Sequence, residues 1–86
     1  MNQQTRQEEI KTLARVILEF YKKNPEAGET VDGIIYWLAR SRYDDSRDLV
    51  QAALDYMVDR GELVKKVLKE HTLYFYVEVP VPPSRS

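Results

Sequence analysis

The chain of 86 residues has the length of one domain and is close to the smallest size that folds without cross-links. It contains no cysteine, which excludes disulfides and thiolate metal sites, so a hydrophobic core must hold the fold together. The net charge of −1 is unusual for a dedicated nucleic-acid-binding domain, because such domains are ordinarily basic.

The chain shows no sign of export or membrane insertion. Its first residues lack the basic and then apolar pattern of a secretory signal. No apolar run approaches the roughly 20 residues needed to cross a bilayer. We therefore expect a cytoplasmic protein without a membrane partner.

The first predicted element is an amphipathic helix over about residues 5–23, preceded by a frayed N-terminus at residues 1–5. Its apolar residues recur every three or four positions and form one stripe, which consists of Ile10, Leu13, Ala14, Ile17, Phe20 and Tyr21. Pro25 disfavours the helical conformation of the residue before it, so the helix should end near Lys23.

A second, shorter helix is predicted after Thr30. Thr30 is a suitable N-cap residue, and Asp32 in the first turn complements the positive end of the helix. The helix should end near residues 41–43. Its expected buried face consists of Ile34, Ile35, Leu38 and Ala39.

A third helix is predicted between a cluster of aspartates and Gly61. Asp45 followed by Asp48 approximates a capping box, and Gly61 is well suited to the left-handed conformation that ends a helix. The expected core side consists of Val50, Ala53, Leu54 and Met57.

After Gly61 the pattern changes to two extended segments, residues 63–68 and 73–79, which are rich in β-branched and aromatic residues. No Asn-Gly or Asp-Gly pair marks a tight turn between them, so residues 69–72 are expected to form a four-residue loop. The proline-rich residues 80–86 cannot continue a sheet and should form a flexible tail.

Three helices followed by a hairpin resemble the winged helix-turn-helix superfamily. The most specific stretch resembles the family's recognition helix and first wing strand, and it reads Val50-x-x-Ala53-Leu54-x-x-Met57-x-x-x-Gly61-Glu62-Leu63-Val64. A second stretch is similar to the family's second helix, and it reads Thr30-Val31-Asp32-x-Ile34-x-x-x-Leu38. The resemblance implies an α+β fold in one domain over residues 6–79, with a short third strand near residues 29–30.

Catalytic chemistry finds little support in the sequence. His71, the single histidine, falls at the predicted hairpin tip, where neither a nucleophile nor an orienting partner is evident. One histidine without cysteine cannot close a zinc site. Asp44, Asp45 and Asp48 could bind a divalent ion or a partner, but helix capping explains them better. We therefore expect no enzymatic activity, no cofactor and no metal.

The first of two binding hypotheses is contact with double-stranded DNA, as the resemblance implies. Arg47 can bond guanine and Gln51 adenine at two atoms each. Against this, residues 44–60 hold five aspartates and two arginines, which should repel phosphate, so dimerisation would be needed for firm binding. The expected DNA-contact residues are Arg40, Arg42, Ser46, Arg47, Gln51, Lys65, Lys66 and Lys69.

The second hypothesis is a protein-interaction or assembly module that keeps the scaffold without binding DNA. Tyr36, Trp37 and Tyr43 lie near two arginines, a composition typical of interface hot spots. Alternatively, Trp37 and Tyr43 pack at the rim of the core. The sequence favours a DNA-associated regulatory or accessory protein, and it leaves a protein partner and homodimerisation open.

Overall fold

The computed structural model describes residues 3–43 and 46–77, with side chains from Arg6 onward. Its elements in chain order are α1 (Gln3–Lys23), β1 (Gly28–Glu29), α2 (Val31–Arg40), α3 (Arg47–Asp59), β2 (Leu63–Leu68) and β3 (His71–Tyr76). The strands form an antiparallel sheet in the order β1-β3-β2. The molecule is thus a small α+β domain, and the third strand lies one residue before its expected position.

The core lies between the three helices and the inner face of the sheet, and α3 contacts both other helices and β2. The predicted apolar faces of α1 and α3 are confirmed. The largest fully buried side chains are Ile17, Tyr21, Ile34, Leu38, Val50, Leu54, Met57 and Tyr74. Phe20 is only partly buried, since it packs at the rim.

The buried face of α2 differs from the expected one. Val31, Ile34 and Leu38 are buried, Ile35 is half-buried and Ala39 is exposed. Steps of three and four residues from Val31 keep the stripe narrow, so Ala39 falls beyond its edge. The prediction that Ala39 belongs to the core was therefore wrong.

Side-chain caps begin α2 and α3. The Thr30 hydroxyl accepts a hydrogen bond from the Gly33 N–H at 3.0 Å, which confirms the predicted cap. At α3 the cap is Ser46 rather than Asp45, because the Ser46 hydroxyl reaches the Leu49 N–H at 3.1 Å. The predicted Asp45 cap is therefore corrected by one residue.

Both α2 and α3 end in the same hydrogen-bond pattern, with a left-handed residue just beyond the last turn. After α3 this residue is Gly61 at φ 81°, as predicted, and the Glu62 N–H donates to the Met57 carbonyl at 2.9 Å. After α2 it is Arg42 at φ 71°, and the Tyr43 N–H donates to the Leu38 carbonyl at 2.8 Å. An arginine thus adopts a conformation that glycine adopts more easily.

The hairpin turn is shorter than predicted. Leu68 pairs with His71 and Val67 with Thr72, so only Lys69 and Glu70 lie between the strands. Lys69 allows this turn by adopting a positive φ of 58°, which the absence of glycine and asparagine had argued against. The four-residue loop was therefore a wrong prediction. The predicted strand residues 78–79 and the tail 80–86 lie outside the described residues.

A buried hydrogen bond joins α1 to the central strand. The Tyr21 hydroxyl donates to the Tyr74 carbonyl oxygen at 2.8 Å, and both residues are buried. Burial of the phenol, assisted by the nearby Glu29 carboxylate, raises the pKa of Tyr21 well above its ordinary value.

Within the described ranges, no helix has the length and apolar character that a membrane span requires.

Candidate interaction surfaces

A groove of about 610 Å³ lies between the starts of α2 and α3 and the inner face of the hairpin. Its charged lining residues include Arg47 and Lys65 as well as Asp32 and Glu70. Two basic and two acidic side chains leave the groove without a dominant sign of charge. A surface that attracts phosphate would carry an excess of basic residues.

Arg47 and Gln51, the two expected base-reading residues, both have partners within the protein. The Arg47 guanidinium donates to the Asp32 carboxylate and forms an ion pair with it. Gln51 Nε2 donates to the Tyr74 hydroxyl at 2.9 Å and to Asp55 Oδ1 at 3.2 Å. Contact of the Gln51 amide with both adenine atoms would require one of its two Nε2 bonds to break.

The structure separates the lysines of the hairpin. Lys65 lines the groove, whereas Lys66 lies on the opposite face of the sheet with its Nζ 5.5 Å from the centre of the Phe75 ring. This follows from the alternation of side chains along a strand. Lys69 occupies the turn itself. Lys65 and Lys66 therefore do not form one basic surface.

The remaining expected DNA-contact residues lie before and at the start of α3. Ser46 caps α3 with its hydroxyl. Arg42 ends α2 in the left-handed conformation, and the Arg40 guanidinium lies 5.8 Å from the centre of the Tyr36 ring. The structure thus brings Arg47, Gln51 and Lys65 into one groove but gives Ser46 and Arg42 structural roles.

The three aromatic residues expected at a protein interface occupy separate surroundings. Trp37 is partly buried against Phe20, with ring centres 4.6 Å apart, as the packing alternative anticipates. Tyr36 is 65% exposed beside Arg40. Tyr43 lines a different groove of about 410 Å³ against α1. They do not make one continuous patch.

A third surface, the open edge of β2, was not among those predicted from the sequence. Within the described part of the chain, β2 borders β3 alone, because β1 lies on the far side of β3. Of the five large apolar residues that are exposed in the described ranges, three are on this strand, namely Val64, Val67 and Leu68. A signal was present, since the run Leu63-Val64-Lys65-Lys66-Val67-Leu68 lacks the alternation of a strand with one polar face.

The register shows which backbone groups of β2 point away from β3. In a hairpin closed by two residues, the pair beside the turn exchanges both hydrogen bonds, and bonding recurs at every second pair. Leu68, Lys66 and Val64 therefore bond β3. The Val77 N–H donates to the Glu62 carbonyl at 3.1 Å and continues this alternation. The N–H and C=O groups of residues 65 and 67 consequently point to the open edge.

In comparisons with known proteins, no family model matches this chain, and no curated protein or solved structure is significantly similar to it. What the protein binds must therefore be inferred from the geometry and charges of its own residues.

Proposed function

We propose that this protein is a non-enzymatic docking module with a winged-helix arrangement, and that it binds an extended segment of another protein along the open edge of β2. The observation that carries the proposal is the six-residue edge strand, which presents Val64, Val67 and Leu68 to solvent. Unpaired strand edges are templates for strand addition, and clustered exposed apolar residues favour protein contacts.

The order of the elements supports the winged-helix part of the proposal. Three helices precede the hairpin, and β1 adds a short third strand to it through the pairing of Gly28 with Phe75. His71 lies exposed beside the hairpin turn and lines the groove, where a general base would stay open to water. Both observations suit a binding module.

The charges around α3 favour a protein partner over DNA. Asp32 and Glu70 stand in the groove that a recognition helix and wing would present to DNA, and Asp55 lies exposed along α3. Each carboxylate near the groove would oppose the phosphate attraction on which DNA affinity depends. A protein partner has no such uniform charge.

Selection of peptides from a random library, followed by measurement on edge variants, tests the proposal. Val67→Pro removes an outward N–H that β3 does not use, so the hairpin should keep its fold. Val67→Ala loses side-chain methyls but keeps the N–H. We expect selected peptides to bind Val67→Pro at least about tenfold more weakly than wild type. The loss of affinity for Val67→Ala should be smaller.

Matching circular dichroism spectra of the two variants would show that the fold is retained. A library that yields no binders, or binders that do not distinguish Val67→Pro from wild type, would contradict docking at this edge.

A second candidate function is DNA binding, which is supported by Arg47 and Lys65 lining one groove and by the exposed Lys69 at the turn. Titration of a random duplex with increasing salt tests it, because phosphate contacts weaken steeply as salt rises. If DNA is bound, replacing Lys65 and Lys66 by glutamate should weaken binding on every sequence. If the protein does not bind the duplex at low salt, DNA binding is excluded and docking is the remaining candidate function.

A further inference from the structure

We infer that the segment received by β2 carries two adjacent acidic residues between apolar ones. This inference rests on the proposed docking function and adds the chemistry of the partner. Its basis is the pair Lys65 and Lys66 at the middle of the edge strand, with Val64 before the pair and Val67 and Leu68 after it.

The two lysines project to opposite faces of the sheet. Lys65 points into the groove, and Lys66 lies across Phe75 on the outer face. A strand added beside β2 also alternates its side chains between the two faces. Two consecutive residues of that strand would therefore lie opposite Lys65 and Lys66, one on each face. Carboxylates at both positions would give favourable cross-strand pairs.

The apolar residues set the flanking positions. Val64 and Leu68 lie on the outer face, two residues before and after Lys66, while Val67 lines the groove two residues after Lys65. Exposure of 68% at Val67 and 52% at Leu68 leaves apolar surface for an added strand to cover. A segment with the pattern apolar-acidic-acidic-apolar matches these positions in either strand direction.

A second copy of this chain fits the edge poorly. Because residues 65 and 67 carry the outward N–H and C=O groups, a symmetric antiparallel pair must align these odd-numbered residues with each other. The two registers with the greatest overlap place either Lys65 or Lys66 directly opposite its own copy. Like charges in that position are destabilising. The lysines thus oppose self-pairing and favour an acidic partner.

Three synthetic peptides test the inference. Each has a valine- and threonine-rich extended sequence, with Glu-Glu, Gln-Gln or Lys-Lys at the centre. Because one exposed ion pair changes affinity up to about fivefold, we expect the Glu-Glu peptide to bind about tenfold more tightly than the Gln-Gln peptide. The Lys-Lys peptide should bind most weakly. Fluorescence anisotropy with the full chain measures all three.

A charge-reversed variant provides the matched control. Replacing Lys65 and Lys66 by glutamate preserves every backbone group, so the order of the three peptides should reverse. Val67→Pro should weaken the binding of all three peptides, since it removes a backbone contact that all of them share.

The outcomes separate the inference from the docking function. If all three peptides bind equally and lose affinity to Val67→Pro, docking at the edge stands and an acidic partner is overturned. If none of the peptides binds, both fail. Self-association that Val67→Pro abolishes, measured by sedimentation, would also overturn the acidic partner, because a second copy would then occupy the edge.

Discussion

Replacing Tyr21 by phenylalanine tests how α1 is joined to the sheet. The substitution keeps the ring in the core and removes only the hydroxyl that donates to the Tyr74 carbonyl at 2.8 Å. Tyr21 is fully buried and Tyr74 is 2% exposed, so water cannot readily replace the lost donor. The perturbation is therefore confined to the buried hydroxyl and the contacts that it makes.

The expected loss in the free energy of unfolding is about 1–2 kcal/mol, the range for a buried acceptor that loses a neutral donor. For a domain of this size, that loss lowers the Tm by about 5–10 °C. Thermal and urea unfolding followed by circular dichroism measure both quantities. Tyr36→Phe is the matched control, because Tyr36 is 65% exposed and its change should stay within about 0.5 kcal/mol.

The same variant changes the response to alkaline pH. Burial raises the pKa of Tyr21 in the folded state, whereas the unfolded chain releases this proton near pH 10. Above about pH 10, the folded state therefore holds a proton that the unfolded state has lost, and stability falls as pH rises. In this window the wild type should lose about 1.4 kcal/mol per pH unit more than Tyr21→Phe.

Equal Tm values for Tyr21→Phe and wild type at neutral pH would refute the stabilising role of this bond. Equal slopes above pH 10 would refute the burial of the phenol.

Four further substitutions test the helix ends and the core. Gly61→Ala should lower the free energy of unfolding by about 1–2 kcal/mol, because residue 61 has φ 81°. Arg42→Gly, at φ 71°, should instead raise it by up to about 1 kcal/mol. A Tm change of the same sign in both variants would contradict the left-handed conformation of these residues. Ser46→Ala should lower the free energy of unfolding in urea by about 1 kcal/mol, because α3 loses its cap. An unchanged free energy would show that another residue caps α3. Leu54→Ala should cost about 2–5 kcal/mol, since Leu54 is fully buried, and full thermal stability would contradict the orientation of α3.

The local features of the fold could be predicted from the sequence. The apolar stripes of α1 and α3, the Thr30 cap and the Gly61 helix end depend on residues within a few positions of one another. The hairpin turn could not be predicted in the same way. Pairing of Leu68 with His71 outweighs the energetic cost of a positive φ at Lys69. This pairing depends on the register of all the residue pairs between β2 and β3.

Only the tertiary structure decided which residues are available for binding. Arg47 and Asp32 are separated by 15 positions in the chain, and Gln51 and Tyr74 by 23, yet each pair is bonded. Likewise, among the described residues β2 has β3 as its single neighbour, because Gly28 and Glu29 pair with β3 from the other side. Periodicity and capping act over one or two helical turns, whereas strand order and ion pairing depend on where distant segments meet. The sequence alone therefore determined the elements, and their packing determined the surfaces.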